Sequence, residues 1–119
     1  MVYIRSPLLD LTSILPQVLF TLPTGRNFIP IASVNQTVAM VNYTVDGSLA
    51  FGTNGPTYDN WQNGGAWFVT TNDSSYPNGF LNANSIPVVH GGDTVTALFG
   101  TPITADSATG YVYILGVYI

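Results

Sequence analysis

Side chains that could do chemistry are scarce in this chain: six aspartates, one histidine and two arginines, with no cysteine, glutamate or lysine. Nucleophilic catalysis needs a Ser, Thr or Cys activated by a nearby base. The single imidazole, His90, stands in the run His90-Gly91-Gly92-Asp93. A His–Asp pair across a tight turn can hydrogen-bond, but no nucleophile is spaced to complete the set. Glycoside hydrolysis needs two carboxylates on opposite sides of a sugar ring. Asp10, Asp46, Asp59, Asp73, Asp93 and Asp106 all fall among turn-forming residues, where a short carboxylate ordinarily bonds its own backbone. A calcium loop around Asp59 and Asn60 would lack the repeated acidic ligands such loops use. Zinc, redox metals and phosphate loops fail on the lone histidine, the missing cysteine and the absence of a Gly-rich loop ending in Lys. No catalytic residue, metal ligand or cofactor is assigned, and the expected role is structural or binding, not enzymatic.

Composition narrows the partners. At 119 residues the chain has room for one domain with a real core. Net charge is −4, and Arg5 and Arg26 are too few to neutralise a nucleic-acid backbone. No apolar run reaches the length of a membrane helix, and the first residues lack the pattern of a signal peptide. Charged residues make up 7% of the chain, against about 25% in ordinary soluble domains. A surface that neutral, rich in Tyr and Thr, is expected to be covered by other chains. Asn35, Asn42 and Asn72 open glycosylation-type triplets, which arise readily by chance in a chain rich in Asn and Thr.

The elements that must position these residues are strands. Val, Ile, Thr, Tyr and Phe dominate, whereas Glu and Lys, good helix formers, are missing. Strands are predicted at Val18–Leu22, Asn27–Val34, Thr37–Val45, Ser48–Gly52, Ala66–Thr71, Ser85–Val89, Thr94–Gly100 and Tyr111–Ile119. Val95, Ala97 and Phe99 alternate with threonines; Ala39, Val41, Tyr43 and Val45 share a second face. Pro23-Thr24-Gly25, Asp46-Gly47 and Gly91-Gly92 supply turn chemistry. This rhythm predicts an all-β, antiparallel β-sandwich of jelly-roll type over residues 18–119.

Two long loops, Thr53–Gly65 and Asn72–Asn84, interrupt it. Their aromatics, Tyr58, Trp61, Tyr76 and Phe80, are candidates for stacking on a sugar ring; the alternative is that they fold back over an open end of the sandwich. Trp67, in a strand, is expected in the core. Residues 1–17 are expected to form an N-terminal arm, extended or as a short helix. Its apolar side chains, Val2, Tyr3, Ile4, Leu8, Leu9, Leu11, Ile14 and Leu15, would be the contacts to another protein. The last strand is apolar on both faces, and a two-sheet core covers only one of them. Tyr111, Tyr113, Leu115, Val117 and Tyr118 are therefore expected at a subunit interface.

Three stretches, Phe20-Thr21-Leu22-Pro23-Thr24-Gly25-Arg26-Asn27-Phe28, Phe51-Gly52-Thr53-Asn54-Gly55-Pro56-Thr57-Tyr58-Asp59-Asn60 and His90-Gly91-Gly92-Asp93-Thr94-Val95 before a Tyr-rich last strand, resemble small jelly-roll virion proteins of tailed bacteriophages. These include head decoration (cement) proteins and fibre-type modules. The resemblance implies a homotrimer on the capsid surface, with a terminal arm reaching the major capsid protein. The other function it implies is a trimeric fibre or tail-tip module binding host carbohydrate through the loop aromatics.

Overall fold

The fold is known from a computed structural model that describes residues 2–59, 61–67, 75–80 and 89–119, with the backbone alone along 62–66 and 75–80. Nine strands run through the described residues: β1 (Val2–Arg5), β2 (Leu9–Asp10), β3 (Gln17–Thr21), β4 (Phe28–Val41), β5 (Gly47–Gly52), β6 (Gln62–Trp67), β7 (Ser75–Phe80), β8 (Thr94–Thr101) and β9 (Ser107–Tyr118). Every pairing is antiparallel. Sheet A has the order β1-β9-β4-β7, with β2 also on β9, and sheet B the order β3-β8-β5-β6. Apart from the short β2, the pairs nest: β1 with β9, β3 with β8, β4 with β7, β5 with β6. That nesting, split over two sheets, is a jelly roll.

The alternation predicted for β8 holds: Val95, Ala97 and Phe99 point into the core while Thr94 is exposed. The two strands expected at 27–34 and 37–45 are instead one long strand, β4. Its register against β9 slips between Pro30 and Ala32 and again between Thr37 and Ala39. Each slip inserts one residue and exchanges the faces. Phe28 and Pro30 point inward, then Ser33, Asn35 and Thr37, then Met40. Ala39 and Val41 do share a face, but it is the outer one, and the strand ends before Tyr43.

The N-terminal segment corrects the expectation of an arm. β1 pairs with Val2 opposite Gly116 and Arg5 opposite Tyr113, and β2 pairs with Leu9 opposite Gly110. Between them Ser6 donates its N–H to the Val112 carbonyl and accepts the Val112 N–H on Oγ, at 2.9 and 3.0 Å. Leu9 and Leu11 are buried in the chain's own core, and Val2 and Ile4 pack against it. A free arm would leave one edge of β9 unpaired, and pairing it satisfies those backbone groups. The expected boundary at residue 17 therefore does not separate an arm from the sandwich.

The core between the sheets is aromatic. Phe51 lies 6.4 Å from Trp61, and Trp67 lies 5.9 Å from Phe99. Trp67, buried as expected, donates Nε1–H to Thr37 Oγ1 at 2.9 Å. Gly110 faces that ring on β9: a Cβ there would collide with the Gln36 carbonyl oxygen, so no larger residue lets β4 and β9 approach as they do. The predicted strand Ser85–Val89 lies outside the described residues except for Val89, which bridges Phe28.

Candidate interaction surfaces

Among the described residues no cluster of acids and histidine could hold a metal ion. His90 and Asp93 sit on an exposed turn, Nδ1 to Oδ2 3.9 Å, closed by the Asp93 N–H on the His90 carbonyl at 3.0 Å. Gly92, at φ 92°, supplies the left-handed third position of that turn. Asn35 is buried in the core and so closed to glycosylation in the fold; Asn42 is exposed and donates to Asp106 Oδ2 at 2.6 Å. Asn72 lies outside the described residues.

The proposed ligand loops are largely structural. Trp61 is fully buried, packed edge-on against Phe51 and at a tilt against Phe20, with ring centroids 6.4 and 6.1 Å away. A loop running to Gly65 would leave this ring at the surface. Instead β6 begins at Gln62, and the Trp61 backbone N–H donates to the Phe51 carbonyl at 3.2 Å, which holds the residue against β5. Tyr76 and Phe80 belong to β7, in register with Asn35 and Ala32 of β4, and not to a loop. Tyr58 remains in a turn, at φ 49°, with its N–H on the Asn54 carbonyl at 2.9 Å. The same turn is closed around Asp59, whose Oδ1 accepts from Asn54 Nδ2 at 2.7 Å and Thr57 Oγ1 at 3.1 Å. Those donors hold its carboxyl below the ordinary aspartate value. At the turn before β5, Tyr43 donates its hydroxyl to Asp46 Oδ1; that bond, with partial desolvation and the nearby charge, raises the phenol.

Two surfaces are apolar where a solvated sandwich would be polar. The first is the outer face of sheet A. The core side of β9 carries Val112 and Ile114, and the other side carries Tyr111, Tyr113, Leu115 and Val117, all only partly covered. Beside them lie Ala32 and Val34 of β4, opposite Leu115 and Tyr113, and Tyr3 of β1, opposite Leu115 and 68% exposed. Polar tips are tied down laterally. Tyr113 donates its hydroxyl to Gln36 Oε1 at 2.9 Å, and the Arg5 guanidinium lies 4.6 Å from the Tyr111 ring centre. Tyr118, grouped with these residues by sequence, faces the other way: its ring packs 5.4 Å from Phe28, with the Arg26 guanidinium 4.1 Å above it.

The second surface is the loop between β2 and β3. Ile14 and Leu15 are 71% and 67% exposed, and Leu8 just before β2 is also exposed. Of the eight side chains expected to contact a partner, these three and Tyr3 remain free to do so. The loop is held shut by Gln17, whose side-chain Oε1 accepts the Asp10 N–H and whose Nε2 donates to the Asp10 carbonyl, both at 2.8 Å. Asp10 Oδ1 accepts from the Thr12 N–H and hydroxyl, and Ser13 Oγ accepts the Leu15 N–H at 3.1 Å. The loop therefore displays its two large apolar side chains from a fixed frame.

Neither protein-family models nor curated proteins match the chain. Among solved structures it is similar in fold to a chain from the capsid asymmetric unit of cyanophage Pam1. The likeness has a TM-score of 0.57 and 15% sequence identity, and covers 98% of this chain and 81% of that one.

Proposed function

We propose that this protein is a structural component of a phage virion: a decoration, or cement, protein on the outside of the head that ties neighbouring subunits of the major capsid protein together. The observation that carries this reading is the fold likeness, along nearly the whole chain, to a chain of a phage capsid asymmetric unit. The near-absence of charge and the two uncovered apolar surfaces support it.

In this reading the β2–β3 loop is the capsid contact. Covering Leu8, Ile14 and Leu15 gains up to about 1.5–3 kcal/mol each. The internal hydrogen bonds of Asp10, Thr12, Ser13 and Gln17 mean that little further ordering is required on docking. A modest contact of this kind, repeated over a closed shell, holds the lattice together through many copies and not through one tight site. The carbohydrate-binding alternative loses its strongest stacking platform with the burial of Trp61. The test is co-sedimentation with heads assembled in the absence of this protein. The native chain is expected to pellet with the heads, and the double variant Ile14→Asp, Leu15→Asp, folded by circular dichroism, to stay in the supernatant. Equal binding by both would overturn the loop as the anchor, and no binding by the native chain would overturn the capsid role.

A further inference from the structure

The outer face of sheet A carries two charges whose placement specifies a partner. Arg5 lies opposite Tyr113 and Asp10 opposite Thr109, and both strands that carry them flank the same edge of β9, because β4 occupies the other. Both residues are exposed and face outward: the Arg5 guanidinium rests on the outer ring of Tyr111, and Asp10 follows the inward-pointing Leu9. Tyr111 stands midway between the two along β9. At the rise of a strand, the backbone positions that carry the two charges are about 13 Å apart along β9.

A second copy can be laid on this face by a two-fold axis running between the two sheets, perpendicular to β9 and over Tyr111. The rotation reverses β9, so position 113 of one copy meets position 109 of the other, while the β1–β2 side stays over the β1–β2 side. Arg5 then faces Asp10 of the second copy, twice. On the β4 side, Val34 (opposite Tyr113) meets Ala39 (opposite Thr109), and Ala32 (opposite Leu115) meets Val41 (opposite Ser107). Charge meets opposite charge and, on the β4 side, apolar meets apolar under one operation, while on β9 Tyr111 meets its own copy, Tyr113 meets Thr109 and Leu115 meets Ser107. Opposed sheets pack about 10 Å apart, a gap that an arginine and an aspartate span together. Asp10 Oδ1 is engaged by Thr12, which leaves Oδ2 for the guanidinium.

We propose that the chain forms a two-fold dimer through the outer face of sheet A, centred on Tyr111 and fixed in register by reciprocal Arg5–Asp10 ion pairs. Such an interface is isologous, each patch serving as its own complement. It predicts a dimer where the resemblance to virion proteins implies a trimer. The dimer is expected of the chain alone, with no capsid present, so its failure and the failure of capsid docking are separate results.

The experiment measures mass by sedimentation equilibrium on the full chain, its R5D and D10R variants, and their equimolar mixture. The native chain should be a dimer. Each single variant, with like charges opposed at both pairs, should raise the dissociation constant about tenfold or more. The mixture should recover a one-to-one heterodimer. In it the R5D chain, acidic at both positions, meets the D10R chain, basic at both. If D10R disturbs the Thr12 turn, Asp10→Asn keeps a side-chain acceptor for Thr12 and must still weaken the dimer. A native monomer or trimer, a dimer indifferent to R5D, or folded variants that fail to pair on mixing would each overturn the proposal.

Discussion

The two sheets of this sandwich present opposite outer faces. On sheet B the outward residues of β8 and β5, Thr94, Leu98, Gly100, Ser48 and Ala50, include no aromatic ring, and Thr21 and Thr94 hydroxyls meet at 2.9 Å across β3 and β8. On sheet A they are Tyr111, Tyr113, Leu115 and Val34, laced by a cation–π contact and one tyrosine hydrogen bond. Both sheets cover the same core, so the contrast does not come from folding the monomer. In the dimer proposed above, it is the side that the second copy covers.

Substitutions can break that contrast. The largest effect is expected in the core that both sheets share. Trp67→Ala should cost about 3–5 kcal/mol in chemical denaturation, since it empties a buried ring site and leaves Thr37 Oγ1 without its donor. A loss below about 1 kcal/mol, the size of a single net hydrogen bond, would mean the tryptophan is not packed between the sheets. On the outer faces the two sheets should part ways. Leu115→Asp should weaken self-association about tenfold or more, the equivalent of about 1.5–3 kcal/mol of lost burial, whereas Thr94→Asp on sheet B should leave it unchanged. Equal effects from both would erase the distinction between the faces.

The inner side of β4 offers a test of sign. Ser33 and Asn35 are buried, and among the described residues neither Ser33 Oγ nor either amide atom of Asn35 has a hydrogen-bond partner. Replacing Asn35 by an apolar residue of similar size, Asn35→Leu, should stabilise the fold by about 1–3 kcal/mol. Destabilisation would place Asn35 outside the core or show that its amide is satisfied. The smallest effect concerns the turn at the end of β5. The folded-state pKa of Asp59 is depressed, so its contribution to stability is present above the ordinary aspartate value and fades as pH falls through the lower folded value. An NMR titration should find its carboxyl midpoint below those of unperturbed aspartates, and Asn54→Ala should return it towards them.

How far the fold is legible in the sequence depends on how local its signals are. In β5 and β8 the inward apolar residues, Leu49 and Phe51, and Val95, Ala97 and Phe99, recur at every second position and can be read from period two alone. β4 reads as two strands because the extra residues at its slips put Ser33 and Asn35 inside and Val34 outside, the reverse of what polarity suggests. The first residues read as an arm because their pairing with β9 spans the whole chain, and nothing local announces a partner a hundred residues away. Trp61 reads as a loop residue for a similar reason: its burial depends on β6 starting immediately after it. The apolar outer face of β9 is visible as a strand hydrophobic on both sides. The charges that frame it are not, since Arg5 and Asp10 become neighbours only through β9.

The proposed role of this chain as a capsid component is tested most directly by separating heads from tails in purified particles and quantifying the chain by mass spectrometry in each fraction. Recovery in the head fraction, at a fixed ratio to the major capsid protein across particles with and without tails, is the result expected. Recovery with the tails alone, or absence from the particle, would contradict it.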